Sequence, residues 1–135
     1  MTHPTLHVTN WSSRKLHGPG RLLTIMARPR PWEHGVGRVP SCTPTAGALD
    51  RVRAGTMTID DYRAHVERRV LDHPHGPGGL TAISDGDAPP VADGDTLCCA
   101  CSRAEAAAGR CHRVWVAHLL ARAGWRVVLD GVEVE

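Results

Sequence analysis

A chain of 135 residues fits one domain and can bury roughly two thirds of its unfolded surface without disulfides. With 41% apolar and 22% charged residues and a net charge of +2, the composition is that of an ordinary globular protein. It carries no electrostatic footprint that would indicate a nucleic acid partner. No apolar run approaches the ~20 residues of a membrane span. The opening MTHPTLHVTN lacks the basic and apolar regions of a signal peptide. A cytoplasmic protein with no membrane partner is the expectation, its oligomeric state left open.

In chain order, Leu6 to Trp11 reads as a short strand and Arg21 to Ala27 as a better one, stopped by Arg28-Pro29-Arg30-Pro31. Trp32 to Pro44 reads as loop. Thr43-Pro44 can cap a short helix running to about Arg53, with Gly55 ending it. The clearest helix spans Ile59 to Leu71, with Thr58 and Asp61 placed like a capping box and Tyr62, Val66 and Val70 at helical spacing. After a break at Asp72 to Gly79 comes a short apolar stretch, Leu80 to Ile83, and then a polar loop from Ser84 to Asp95. Thr96 to Cys99 reads as a buried strand, Cys111 to Ala123 as a helix closed by Gly124, and Trp125 to Leu129 as a strand. Strand, helix, strand in that order is a βαβ unit. The expected fold is a single α/β domain over residues 1–135, a mainly parallel sheet with flanking helices. Scarce aromatics (four Trp, one Tyr, no Phe) leave a core of Leu, Val, Ala and Ile.

Four of the five cysteines crowd between Cys98 and Cys111. A secreted disulfide framework would spread an even number along the chain, so a reducing compartment and a metal or thiol site are indicated. Three readings compete. Cys98, Cys101 and Cys111 could hold zinc or iron, an iron–sulfur cluster included, with one position left open. Alternatively Cys111, at a helix start beside Arg110, His112 and Arg113, has the surroundings that favour a reactive thiolate, with His112 to move protons. Or the cysteines only pack, which is the expectation for Cys99; Cys42 reads as incidental.

Thr9-Asn10, Arg28 with Pro29 and Pro31, Pro40, Tyr62, Leu97-Cys98 and Cys111-His112-Arg113 occur in an order that covers most of the chain. On these residues the chain resembles the family catalogued as domain of unknown function 488. The resemblance implies an α/β fold and a cysteine-histidine site, with no established reaction. That family follows Leu-Cys with an aromatic and Glu, where this chain has Cys99 and Ala100, which leaves Cys101 as a substitute for the carboxylate.

In a parallel sheet, Asn10, Arg28, Cys98 and the Cys-His-Arg helix start would gather at the carboxyl edge, where ligands bind. Cys111, His112 and Arg113 are then the candidate catalytic residues. Asn10, Arg28 and Tyr62 are candidates for holding a substrate, an anionic small molecule such as a nucleotide or modified base. Each also has a plainer role: Asn10 in a turn, Arg28 and Arg113 as solvated charges, Tyr62 and Trp115 in the core. The competing function is a metal-stabilised module that binds protein or nucleic acid without catalysis.

Overall fold

The computed structural model describes residues 4–28, 36–73, 76–84, 86–100 and 111–134. Its strands are β1 (Thr5–Asn10), β2 (Leu22–Thr24), β3 (Gly37–Arg38), β4 (Thr81–Ser84), β5 (Gly86–Pro90), β6 (Thr96–Cys99), β7 (Arg126–Leu129) and β8 (Val132–Glu133). They form one sheet in the order β5-β4-β3-β2-β6-β1-β7-β8. The five central strands, β3 to β7 in that order, run parallel, and β4, β5 and β8 add antiparallel edges. The α/β fold with a mainly parallel sheet read from the sequence is therefore the fold the chain adopts. Because the central strands are parallel, Asn10, Thr24, Arg38, Cys99 and Leu129 all end on one edge.

Three helices accompany the sheet among the described residues: α1 (Ala46–Arg53), α2 (Ile59–Leu71) and α3 (His112–Arg122). In α2, Tyr62, Val66 and Val70 are buried at four-residue spacing. The Thr58 hydroxyl accepts from the Asp61 N–H, acidic residues fill the first turn and arginines the last, each matching the helix dipole. α3 is different. Seven of its eleven residues are buried, so it is a central helix packed on several sides. It lies against α2, β7, β1 and β6. Leu6, Val8, Leu23, Ile25 and Leu97 of the sheet meet Val66 and Val70 of α2 and Trp115, Val116 and Leu120 of α3 in one core.

The other face of the sheet, carrying His7 and Thr96, is crossed by the segment after β1. Gly18 donates its N–H to the Thr96 hydroxyl at 2.8 Å, and a β-carbon on Gly18 would lie 2.3 Å from the His7 ring. Only glycine passes there.

Several boundaries differ from the sequence expectation. The Arg21 to Ala27 strand narrows to Leu22–Thr24, although the Ile25 N–H still donates to the Cys98 carbonyl at 3.0 Å. The expected loop from Ser84 to Asp95 contains β5, whose prolines are tolerated because it is an edge strand. Within the expected loop from Trp32 to Pro44 lie β3 and a short 3-10 turn at Pro40–Cys42. The cap of α1 is Thr45, not Thr43, since the Thr45 hydroxyl accepts from the Ala48 N–H while Thr43 donates to the Val39 carbonyl.

Candidate functional site: a buried pair of sulfurs on an arginine

The Cys-His-Arg motif sits where the sequence placed it, at the start of α3 above the carboxyl edge of the sheet. Cys111 is the N-cap and supplies no side-chain capping bond, so its sulfur is turned to other partners. That partner is Cys99, the last residue of β6: the two sulfurs are 3.4 Å apart and both residues are fully buried. This corrects the expectation that Cys99 only packs. Cys98, one residue earlier in the strand, faces the opposite side of the sheet by strand alternation, in register with Thr9 and Thr24.

Arg113 organises the pair. One amino group, Nη1, donates to Cys99 Sγ at 3.1 Å and to Cys111 Sγ at 3.3 Å. The other, Nη2, donates to Asp130 Oδ2 at 3.1 Å, and Thr9 Oγ1 donates to Asp130 Oδ1 at 2.9 Å. The solvated-charge reading of Arg113 is overturned, for it heads the fully buried side chains by size. A buried guanidinium requires negative partners. Burial works to lower the Arg113 pKa, but negative charge at Cys99 and Cys111 and hydrogen bonds to Asp130 and Cys99 outweigh it and push the pKa up. An arginine can only donate. Both sulfurs accept from Arg113, and either can donate its S–H to the other.

His112 is buried, and its Nε2 lies 2.7 Å from the Ile25 carbonyl oxygen. A carbonyl only accepts, so Nε2 carries the proton. Burial chiefly, and Arg113 in addition, push the His112 pKa below its ordinary value, against charge on Cys99 and the Ile25 hydrogen bond. His112 is thus a neutral ring tying the start of α3 to the end of β2. The sign of its effect on stability follows. The unfolded chain takes up a proton near pH 6.5 that native His112 refuses, so stability should fall as pH drops below that value. One group contributes at most about 1.4 kcal/mol per pH unit. Urea unfolding at several pH values should show this slope, reduced in His112→Gln. His65, whose pKa is also lowered, bends the curve the same way and needs its own His65→Gln control.

The other candidates are placed as follows. Asn10 Oδ1 accepts from the Ser13 N–H at 2.8 Å, holding the turn after β1. Arg28 makes an exposed two-pronged pair with Asp50 of α1 at 2.6 and 2.7 Å. Tyr62 is buried, its ring edge-on to Trp115 at 5.7 Å, joining α2 to α3. Cys101, Arg110, Pro29, Pro31 and His75 lie outside the described residues. For a metal ion, the described residues offer the two sulfurs of Cys99 and Cys111, both already receiving hydrogen bonds from a guanidinium. No group of three or more His, Cys, Asp or Glu side chains suited to an ion occurs among them.

Asp130 was missed by sequence reasoning, Thr9 entered only through the Thr9-Asn10 match, and Cys99 was assigned to packing. The signal for Asp130 was present: Asp130-Gly131 between Val128-Leu129 and the alternating Val132-Glu133-Val134 is a hairpin turn. Both residues have positive φ, 48° and 84°, and the turn joins β7 to β8. The left-handed backbone at Asp130 sets its carboxylate at the sheet edge, within reach of Thr9 and Arg113.

No family model, curated protein or solved structure matches this chain.

Proposed function

We propose that the chain is a thiol-dependent enzyme in which Cys111 and Cys99 form a working dithiol that exchanges with a small-molecule disulfide. The single observation behind it is the shared guanidinium: Arg113 Nη1 donates to both sulfurs, which themselves lie 3.4 Å apart. A cation on two adjacent sulfurs favours the thiolate, the form that attacks.

The chemistry balances in two steps. The Cys111 thiolate attacks one sulfur of R–S–S–R, forming a Cys111–S–S–R bond and expelling one RS⁻. That thiolate takes the Cys99 proton and leaves as RSH. The Cys99 thiolate then attacks Cys111 Sγ, closing the Cys99–Cys111 disulfide and expelling the second thiolate, which is protonated from solvent. The protein dithiol is oxidised and the small disulfide is reduced to two thiols. Arg113 acts as a positioning residue, because it holds both sulfurs in their reduced form. Oxidation removes those acceptors, so the protein disulfide should be readily reduced.

The test is exchange with oxidised glutathione, followed by peptide mapping. Cys99→Ser should accumulate the mixed disulfide at Cys111, and Cys111→Ser should form none at Cys99. In Arg113→Lys the Cys99–Cys111 disulfide should be harder to reduce than in the native chain. Zinc or iron released only on chelation, with exchange absent before chelation and present after it, would overturn the reading in favour of a metal-stabilised module. Exchange absent in the folded protein with no metal bound would reduce the pair to packing.

A further inference from the structure

A cleft of about 270 Å³ opens beside the carboxyl ends of β2 and β3, bordered by Ala27, Arg38, Pro40, Thr45 and Arg69 among others. Its described lining holds two arginines and no acidic residue. None of the described cysteines lines it, so it is a place separate from the sulfur pair. The two are nonetheless neighbours in the chain, since Ala27 lies two residues beyond the Ile25 carbonyl that holds His112.

The two arginines are held differently. Arg69, on α2 at the flank of the buried Tyr62–Val66–Val70 stripe, donates from Nε to the Thr43 carbonyl and from Nη2 to the Pro40 carbonyl. These bonds fix its guanidinium plane and do not use Nη1. Arg38 makes one long bond, Nη2 to the Met26 carbonyl at 3.4 Å. Its Nε is buried and has no hydrogen-bond partner among the described residues. A buried donor left without an acceptor costs about 1–3 kcal/mol, which a small turn of the guanidinium towards a ligand oxygen would recover. The Arg28 side chain, by contrast, is already neutralised by Asp50.

The helix start that borders the cleft adds to the same sign. Thr45 caps α1, and no acidic residue occupies the first turn of that helix. His65 Nε2 accepts the Thr45 N–H at 3.2 Å, so the ring there is neutral. Burial first, then the nearby charges of Arg69, Arg51 and Arg68, hold its pKa down.

We infer that this cleft binds an oxyanion, a phosphoryl group on a small molecule, gripped between the guanidinium groups of Arg38 and Arg69. Planar donor forks match the oxygens of such a group, and two cations suit a doubly charged one.

The test is titration of the folded, isotope-labelled chain with inorganic phosphate, followed by amide and arginine Nε resonances. Saturable shifts are expected at Arg38 Nε and at the amides of Ala27, Thr45 and Ala46. Arg38→Met should weaken phosphate binding by about tenfold or more while the rest of the spectrum stays native. Arg69→Lys keeps the charge but not the fork, and should weaken binding without releasing the whole turn at Pro40–Cys42. Shifts that do not saturate, that sodium chloride at equal ionic strength reproduces, or that persist unchanged in Arg38→Met would overturn the inference. Because the readout is binding of phosphate, it is independent of whether the cysteines exchange.

Discussion

Arg113→Met should destabilise the protein by about 3 kcal/mol, the low end of the 3–5 expected when one partner of a buried ion pair is removed. Methionine fills much of the volume, so the loss is electrostatic and not a cavity. The Asp130 carboxylate would keep the Thr9 hydroxyl as a partner, and the two sulfurs would lose their shared donor. Asp130 retains 23% side-chain exposure and can recover some water, which is why the larger figure is not expected. Arg113→Lys should fall between, since a single ammonium cannot span both sulfurs and the carboxylate. Urea unfolding under reducing conditions measures this. A loss for Arg113→Met of less than about 1 kcal/mol, the range of an exposed pair, would show that the guanidinium is not held as described.

A loss of similar size is expected at the opposite edge of the sheet. Asp95, almost fully buried, accepts from the Arg21 N–H at 2.9 Å, the Ala92 N–H at 2.9 Å and Arg21 Nη2 at 2.7 Å. Asp95→Ala would orphan two backbone donors, each costing about 1–3 kcal/mol when left without a partner. About 3 kcal/mol is the expected total. Burial works to raise the Asp95 pKa, but the bonds from Arg21 and Ala92 prevail and hold it below the usual carboxylate value. Its contribution is therefore present above the unfolded pKa near 4 and is lost as pH falls through the lower folded value. Gly20 is bound to the same construction: a β-carbon there would lie 2.6 Å from Asp95 Oδ1 and 2.7 Å from the Gly94 carbonyl carbon. Asp95→Ala as stable as the native chain in a thermal melt would contradict this account of the amino edge.

The parts of the molecule that were legible in the sequence share one property: they rest on local chemistry. The α2 helix could be read because Thr58, its acidic first turn and Tyr62, Val66 and Val70 all signal the same element. The βαβ unit around α3 could be read because Leu97–Cys99 and Val127–Leu129 are short apolar runs on either side of a helix. The site was legible only to its general place. That Cys111 meets Cys99 and not Cys98 depends on which face of β6 each residue takes, a matter of register that neighbouring cysteines do not reveal. The depth of Arg113 was hidden for a related reason. An arginine in a helix start normally reaches water, and here its acceptors come from the end of β6, the N-cap of α3 and the turn after β7, segments far apart in sequence. Little in the local sequence marks Arg38 or Arg69 apart from the other arginines. The one local hint was that Arg69 follows Val66 by three positions, on the flank of a buried stripe.

The most direct measurement is the intact mass and disulfide map of the folded native chain after equilibration across a range of reduced and oxidised glutathione. The account predicts one species that loses two hydrogens with a single sharp midpoint, its map joining Cys99 to Cys111 and leaving Cys42 as a thiol. Burial suits Cys42 to that role, since it pushes its pKa up to about 12 and makes its thiolate scarce. A folded chain in which Cys99 and Cys111 stay unjoined at every ratio, or in which the oxidised partner of Cys111 is another cysteine, would contradict it.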